Sequence, residues 1–252
     1  MEVHAHTHTA RKKWTHYFWE FLMLFLAVFC GFTAENIREH KVEKSRGKEY
    51  IRSLYEDLKT DTANSSLLIK YDEEKLAGLE GMAPCYKIVL TNWKETACMG
   101  MLVKWSKSSR ELKLTDRTLK QLNNAGGYRL LNKEDADSIV SYESVCKTYQ
   151  GFESTLFQGA QDNVRNTLSQ LADFNVLFPL QGTTTAFQIT DTTTTILQGP
   201  LLFSDDKALL NKWFNELSIY RRVTNGQLLY MHMIRAKATN LIKFYKEKYH
   251  LD

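Results

Sequence analysis

Proline and glycine are scarce in this chain, at three and twelve of 252 residues. Proline removes a backbone donor and clashes with the preceding turn, and glycine adds chain entropy, so a sequence with few of either has few enforced helix ends. An α-rich fold is favoured. Also missing are a glycine-rich phosphate loop, a nucleophile elbow and a paired-histidine zinc helix. The expectation is therefore no catalytic residue, no cofactor and no enzymatic activity. Charge of one sign is lacking too: 33 Lys and Arg face 29 Asp and Glu, for a net charge of +4. The two signs are interleaved, as in "REHKVEKSRGKEYIRSLYEDLK". A nucleic-acid surface gathers basic residues on one face, so nucleic acid is set aside as a partner and this stretch is read as a solvated helix.

One long apolar run stands out, "HYFWEFLMLFLAVFCGFTAEN". Residues 21–34 are uncharged over about 21 Å of helix, short of the roughly 30 Å hydrocarbon core. Extended back through Tyr17, Phe18 and Trp19 to Trp14, the helix reaches about 31 Å, with aromatic residues where an interfacial belt would lie. Eight Leu, Val and Phe residues between Phe21 and Phe32 contribute roughly −2 to −5 kcal/mol to insertion. Glu20 lies about a turn and a half from the end, so it opposes insertion by less than the roughly 3 kcal/mol of a central acid. A removable export signal fits poorly, because cleavage after Ala34 would need a small residue where Phe32 stands. Lipoprotein processing at Cys30 meets bulky Phe29 in the same way. The reading is an uncleaved single-pass anchor rather than a core helix.

Orientation is contested by the charges. Arg11, Lys12 and Lys13 precede the span, and Arg38, Lys41, Lys44, Arg46 and Lys48 follow it. A plain Lys/Arg count puts the large domain in the cytoplasm. The signal-anchor arrangement, a short basic leader ahead of the first apolar run, puts the amino terminus inside and the domain outside; long downstream domains cross largely regardless of charge. The second arrangement is the expectation, placing the amino terminus inside and the large domain across the membrane.

At 100° per residue, Glu20, Ala27, Gly31 and Ala34 share one stripe of the anchor. Small residues let helices approach closely, and a membrane carboxyl normally faces protein or water. The stripe is therefore a candidate contact with another transmembrane helix, its own copy or a partner's. The alternative is that Glu20 snorkels to the interface and the small residues are incidental.

Beyond the anchor, residues 36–60 read as a stalk helix entering a bundle, with Ile51, Leu54, Tyr55 and Leu58 as its apolar stripe. Leu68, Leu76, Leu79, Met82, Tyr86 and Val89 continue that spacing, and Pro84 is expected to kink or end a helix nearby. Thr115 reads as an N-cap, Asn123 and Gly127 bound a helix stop, and Asn132 with Asp135 caps the next helix. That helix is expected to run over residues 133–174 on Ile139, Tyr142, Val145, Tyr149, Phe152, Leu156, Ala160, Val164, Leu168 and Leu171. "QGTTTAFQITDTTTTILQGP", about residues 181–200, is the one β-like passage and reads as a small hairpin or ordered loop. Ser204 is expected to cap a final helix buried through Trp213, Leu217, Tyr220, Ile234, Leu241 and Tyr245, bent or broken near Gly226. The fold class is mainly α: a disordered leader over residues 1–13, a transmembrane anchor over 14–35, and an elongated antiparallel helical bundle over 36–252.

His4, His6 and His8 in the leader could bind a transition metal if it became ordered, but a solvated tail is favoured and no metal site is expected. His40 and His232 are lone helical histidines. With the domain outside the cytoplasm, Cys85 and Cys98 can bridge adjacent helices; in a reducing compartment they are small buried residues.

"WEFLMLFLAVFCGFTAENIREHKVEK", followed by "YIRSLYEDLKTDT" and preceded by a His-rich basic leader, resembles a family of uncharacterised bacterial single-pass membrane proteins. "LKQLNNAGGYRLL" and "LLFSDDKALLNKWFNEL" are similar to its helical domain. The resemblance implies an anchored helical protein and supplies no active-site residues. The expected function is a membrane-anchored interaction or sensor module; the alternative is an auxiliary structural subunit of a larger membrane complex.

Overall fold

The structure, a computed structural model, describes residues 14–124, 126–173, 202 and 204–251. The leader histidines and the threonine-rich passage lie outside these residues. The fold is mainly α, and among the described residues no strand is present, only an isolated bridge between Ala172 and Leu202.

Helix α1, Trp14–Gly78, runs unbroken for 65 residues, about 98 Å. Its length follows from the absence of proline, and its interior hydroxyls are satisfied by bonding back to the preceding turn. Thr60 donates to the Glu56 carbonyl at 3.1 Å, Thr62 to Leu58 at 2.8 Å and Ser66 to Thr62 at 2.7 Å. The amino-terminal part is long and apolar enough to cross a membrane, and among the described residues none of it is buried. The first buried residue is Gly47, so the span and a short polar stretch stand clear of the bundle. Gly47 is needed where the chain crosses closely: a Cβ there would lie 2.4 Å from the Leu130 carbonyl oxygen. Gly47→Ala is expected to lower stability by about 1–2 kcal/mol, overpacking outweighing the gain in helix propensity. Gly151→Ala, where a Cβ meets nothing within 4 Å, is expected to raise it by about 0.5–1 kcal/mol. Urea unfolding of the two variants checks the contrast in sign.

Four short segments follow. Helix α2, Met82–Thr91, has Pro84 in its first turn, where the missing N–H would have been unpaired anyway. Pro84 thus starts a helix; the break lies before it, at Glu80 and Gly81. Helix α3 is Met99–Lys107 and α4 is Arg117–Asn124. Thr115 does not cap α4; its N–H donates to Asp61 Oδ1 at 2.7 Å. Gly126 takes the left-handed conformation, φ 59°, that ends this region before a 3₁₀ turn, Gly127–Leu130.

The bundle is completed by α5, Lys133–Phe152, a π turn, Glu153–Phe157, α6, Gln158–Leu171, and α7, Lys207–Tyr249. Asn132 caps α5, accepting from the Asp135 N–H at 2.9 Å. Asp206 rather than Ser204 caps α7, accepting from the Ala208 and Leu209 N–H groups. Helix α7 does not break at Gly226, which is half-buried and lies against Phe152, a Cβ there coming within 3.1 Å of that ring. Lys75 meets Tyr220, while Lys248 meets Asp135 near the start of α5. Helix α7 therefore runs antiparallel to both α1 and α5–α6.

Core positions follow a regular three-four spacing. On α1 they are Gly47, Ile51, Leu54, Leu58, Asp61, Ser65, Leu68, Asp72 and Lys75, continued by Leu79. On α7 the seam runs from Leu210 through Trp213, Tyr220, Thr224 and Gln227 to Tyr245. Such a seam keeps one face of each long helix turned to its neighbours. Several of its positions are polar or charged, and those positions make the candidate site.

Candidate functional site

The π turn sets up the site. It adds one residue to the helical register between Tyr149 and Ala160, so Phe157 is buried at 1% exposure and Leu156 is turned out at 58%. The apolar spacing had placed Leu156 inside; the extra residue reverses the pair. Leu76 is likewise only half buried, and Lys75 takes the core position beside it. π turns recur at functional sites because they widen a helix and re-aim its side chains.

At this level of the bundle three helices contribute polar groups to one layer. Helix α1 supplies Asp72 and Lys75, both 0% exposed, with Lys75 Nζ 3.7 Å from Asp72 Oδ1. Lys75 Nζ donates to the Tyr220 hydroxyl on α7 at 3.0 Å, and Tyr220 donates to the Ser108 carbonyl at 3.1 Å. The ammonium sits 5.2 Å from the ring centres of Tyr71 and Phe157, within cation–π range of both, while Tyr220 meets it through the hydroxyl at the ring's edge. Glu153, the first residue of the π turn, accepts on Oε2 from the Tyr149 hydroxyl and from Gln227 Nε2, each at 2.9 Å. Neither oxygen of Asp72 accepts a hydrogen bond among the described residues.

Burial dominates the protonation of these groups. It pushes the Asp72 carboxyl up to about 7 against the pull of Lys75, and the Lys75 ammonium down to about 8 against the pull of Asp72 and Glu153. Burial also raises Glu153, opposed by the Tyr149 hydrogen bond. A groove of about 680 Å³ borders the layer, its lining including Tyr71, Gly78, Lys104, Trp105, Ser108 and Arg110. Asp72 and Lys75 are sealed from it.

Two further polar layers lie closer to the apolar part of α1. In one, Asp57 accepts from the Arg117 guanidinium at 3.0 Å and from the Thr118 N–H at 3.2 Å, while Asp61 accepts from the Tyr142 hydroxyl at 2.7 Å. In the other, Lys248 donates to Glu134 and Asp135, both at 2.8 Å, tying the end of α7 to the start of α5. These clusters are fully partnered clamps and show no reactive geometry.

Of the residues singled out in the sequence, Glu20, Ala27, Gly31 and Ala34 lie exposed on the amino-terminal part of α1, and among the described residues no second helix is brought against them. His16 joins Glu20 on that surface, Nδ1 to Oε1 at 3.5 Å. Cys85 and Cys98 are joined as a disulfide across the connection from α2 to α3, with Cα atoms 5.5 Å apart. Cys30 and Cys146 are free. Opening the bridge by a Cys85→Ser, Cys98→Ser pair is expected to cost about 3 kcal/mol, from the freedom regained by the 13-residue loop in the unfolded chain; parallel denaturant melts measure it. Among the described residues no cluster of His, Cys, Asp and Glu could hold a metal.

The hydropathy pattern missed Asp72, Lys75 and Glu153 because they are charged. A usable signal existed in the register, since the spacing from Ile51 to Leu79 requires positions 72 and 75 to face inward. Comparison with family models, curated proteins and solved structures finds no match to this chain. The resemblance to a bacterial anchor family therefore rests on the quoted residues alone.

Proposed function

We propose that this protein is a membrane-anchored helical interaction or sensor module without catalytic activity, set in a bacterial inner membrane with its amino terminus in the cytoplasm and its bundle in the periplasm. The observation that carries the reading is the continuity of α1, which links the apolar span to the deepest polar layer of the bundle in one helix. A rigid rod of this kind transmits displacement or rotation between its two ends. The Cys85–Cys98 bridge supports the periplasmic side, since such bonds persist in oxidising compartments. The enclosure of Asp72 and Lys75 supports a non-catalytic role, because a substrate would have no path to either group.

A second reading, an auxiliary subunit of a larger membrane complex, is favoured by the exposed Glu20. An acidic residue at that depth is stabilised by facing protein or water. Extraction of the full chain into native-lipid discs, followed by mass and composition analysis, tests both readings. The expected result is a second copy or a partner chain at fixed ratio, lost in a Glu20→Gln, Gly31→Leu variant. A lone wild-type chain, or a variant that retains its companion, would overturn the role given to the span.

A further inference from the structure

We propose that Asp72, Lys75 and Glu153 form a proton-operated latch between α1 and the rest of the bundle: with one proton held by the two carboxyl groups the layer is neutral and closed, and loss of that proton loosens the last turns of α1.

The argument begins with charge. Two carboxyl groups and one ammonium are enclosed together, at 0%, 6% and 0% exposure for Asp72, Glu153 and Lys75. If both carboxyls ionise, a net negative charge is left in a low-dielectric interior, a state that proteins avoid by holding a proton. The two acids are not equivalent. Among the described residues Glu153 has two hydrogen-bond donors on Oε2, whereas neither Asp72 oxygen accepts one and Lys75 Nζ stands 3.7 Å away. The proton therefore resides on Asp72, and the enclosed ammonium of Lys75 balances Glu153.

The groups around the layer leave this balance in place. On α1, Tyr71 is held neutral by burial. On α5 and α7, Tyr149 and Tyr220 are both raised far above the range in which they would ionise, burial being the main cause. Arg165 of α6 donates to the Lys107 carbonyl at 2.6 Å, and burial disfavours the charged form of Lys107 on α3. Arg110 lies 4.5 Å over the Tyr71 ring, and Glu111 beside it adds negative charge that raises Glu153 further.

The protonation shifts point the same way. A carboxyl raised to about 7 in the folded chain adds stability at acid pH that is lost as pH rises through about 7. An ammonium lowered to about 8 adds stability at high pH that is lost as pH falls through about 8. The layer is thus weakest between about pH 7 and 8, the interval in which many proteins are most stable. Opening there would admit water beside Asp72 and release α1 from α5–α6 and α7.

The test uses the full chain in lipid discs. Hydrogen exchange over residues 68–78, corrected for the intrinsic pH dependence of exchange, is expected to show protection falling by about tenfold or more between pH 6 and 8. Asp72→Asn, which imitates the protonated acid, is expected to stay protected throughout. Infrared difference spectra of the wild type supply a readout that needs no variant: a protonated-carboxyl band at pH 6 that disappears with a midpoint near 7. Absence of that band, pH-independent protection in the wild type, or a wild-type profile in a folded Asp72→Asn chain would each overturn the latch. The proposal gives the sensor reading its stimulus and rests on that reading only for its output; a span without partners leaves the band and the exchange profile unchanged.

Discussion

Replacing Trp213 by alanine is expected to lower bundle stability by about 3–5 kcal/mol. The side chain is fully buried on the seam of α7 and meets Phe214 edge to face at 4.9 Å. Among the described residues its indole nitrogen finds no acceptor, so its contribution there is one of packing and not of hydrogen bonding. Trp213→Phe keeps most of the apolar contact and removes the unpaired donor, so its cost should be much smaller, about 1–2 kcal/mol. Chemical unfolding of both variants in detergent, followed by circular dichroism, gives the comparison. Equal losses would mean that the indole N–H has a partner.

The second large effect is at Lys75. Lys75→Met removes the cation from an enclosed pair and leaves Asp72 and Glu153 without a counter-charge, which is expected to cost about 3–5 kcal/mol at pH 8. At about pH 5.5 the loss should be smaller, because Asp72, already raised toward neutrality by burial, takes up a proton. A combined Lys75→Met, Asp72→Leu chain should recover part of the stability, since one of the two stranded acids is gone while Glu153, held by Tyr149 and Gln227, stays without a counter-charge. Melting curves of the single and double variants at the two pH values measure this. A pH-independent loss from Lys75→Met would show that its aliphatic packing, rather than its charge, dominates.

Much of the architecture was legible before any coordinates. The scarcity of proline foretold long helices, and the apolar run from Phe21 marked the one segment suited to a membrane. Asn132 was read correctly as a cap because the side chain and the free N–H groups it satisfies are local. Ser204 and Thr115 were misplaced because several polar residues compete at each helix start, and the geometry of the preceding chain decides among them. The π turn was invisible to a periodicity of 3.6 residues, which carried Leu156 inward and overlooked Phe157.

The polar layer was hidden for a different reason. Hydropathy treats a lysine as solvent-facing, yet Lys75 is compensated by two rings, a hydroxyl and two acids. Tyr71 and Asp72 are local to it on α1, but Phe157, Glu153 and Tyr220 come from elsewhere in the bundle, and no local window contains them. The anchor stripe presents the converse: its spacing is plain in the sequence, and in the described chain Glu20, Ala27, Gly31 and Ala34 all lie exposed.

The account depends most on α1 being one rigid helix from membrane to core. Spin labels placed at Lys41→Cys and Lys70→Cys, both exposed and 29 residues apart on nearly the same face, test this in full-length protein in lipid discs, with Cys30 and Cys146 replaced. A continuous helix predicts a single narrow distance distribution centred near about 44 Å, widened by only a few ångströms of label length. A broad distribution or a distance shorter by about 10 Å or more would mean that the span and the bundle are flexibly joined, and the rod could not couple them.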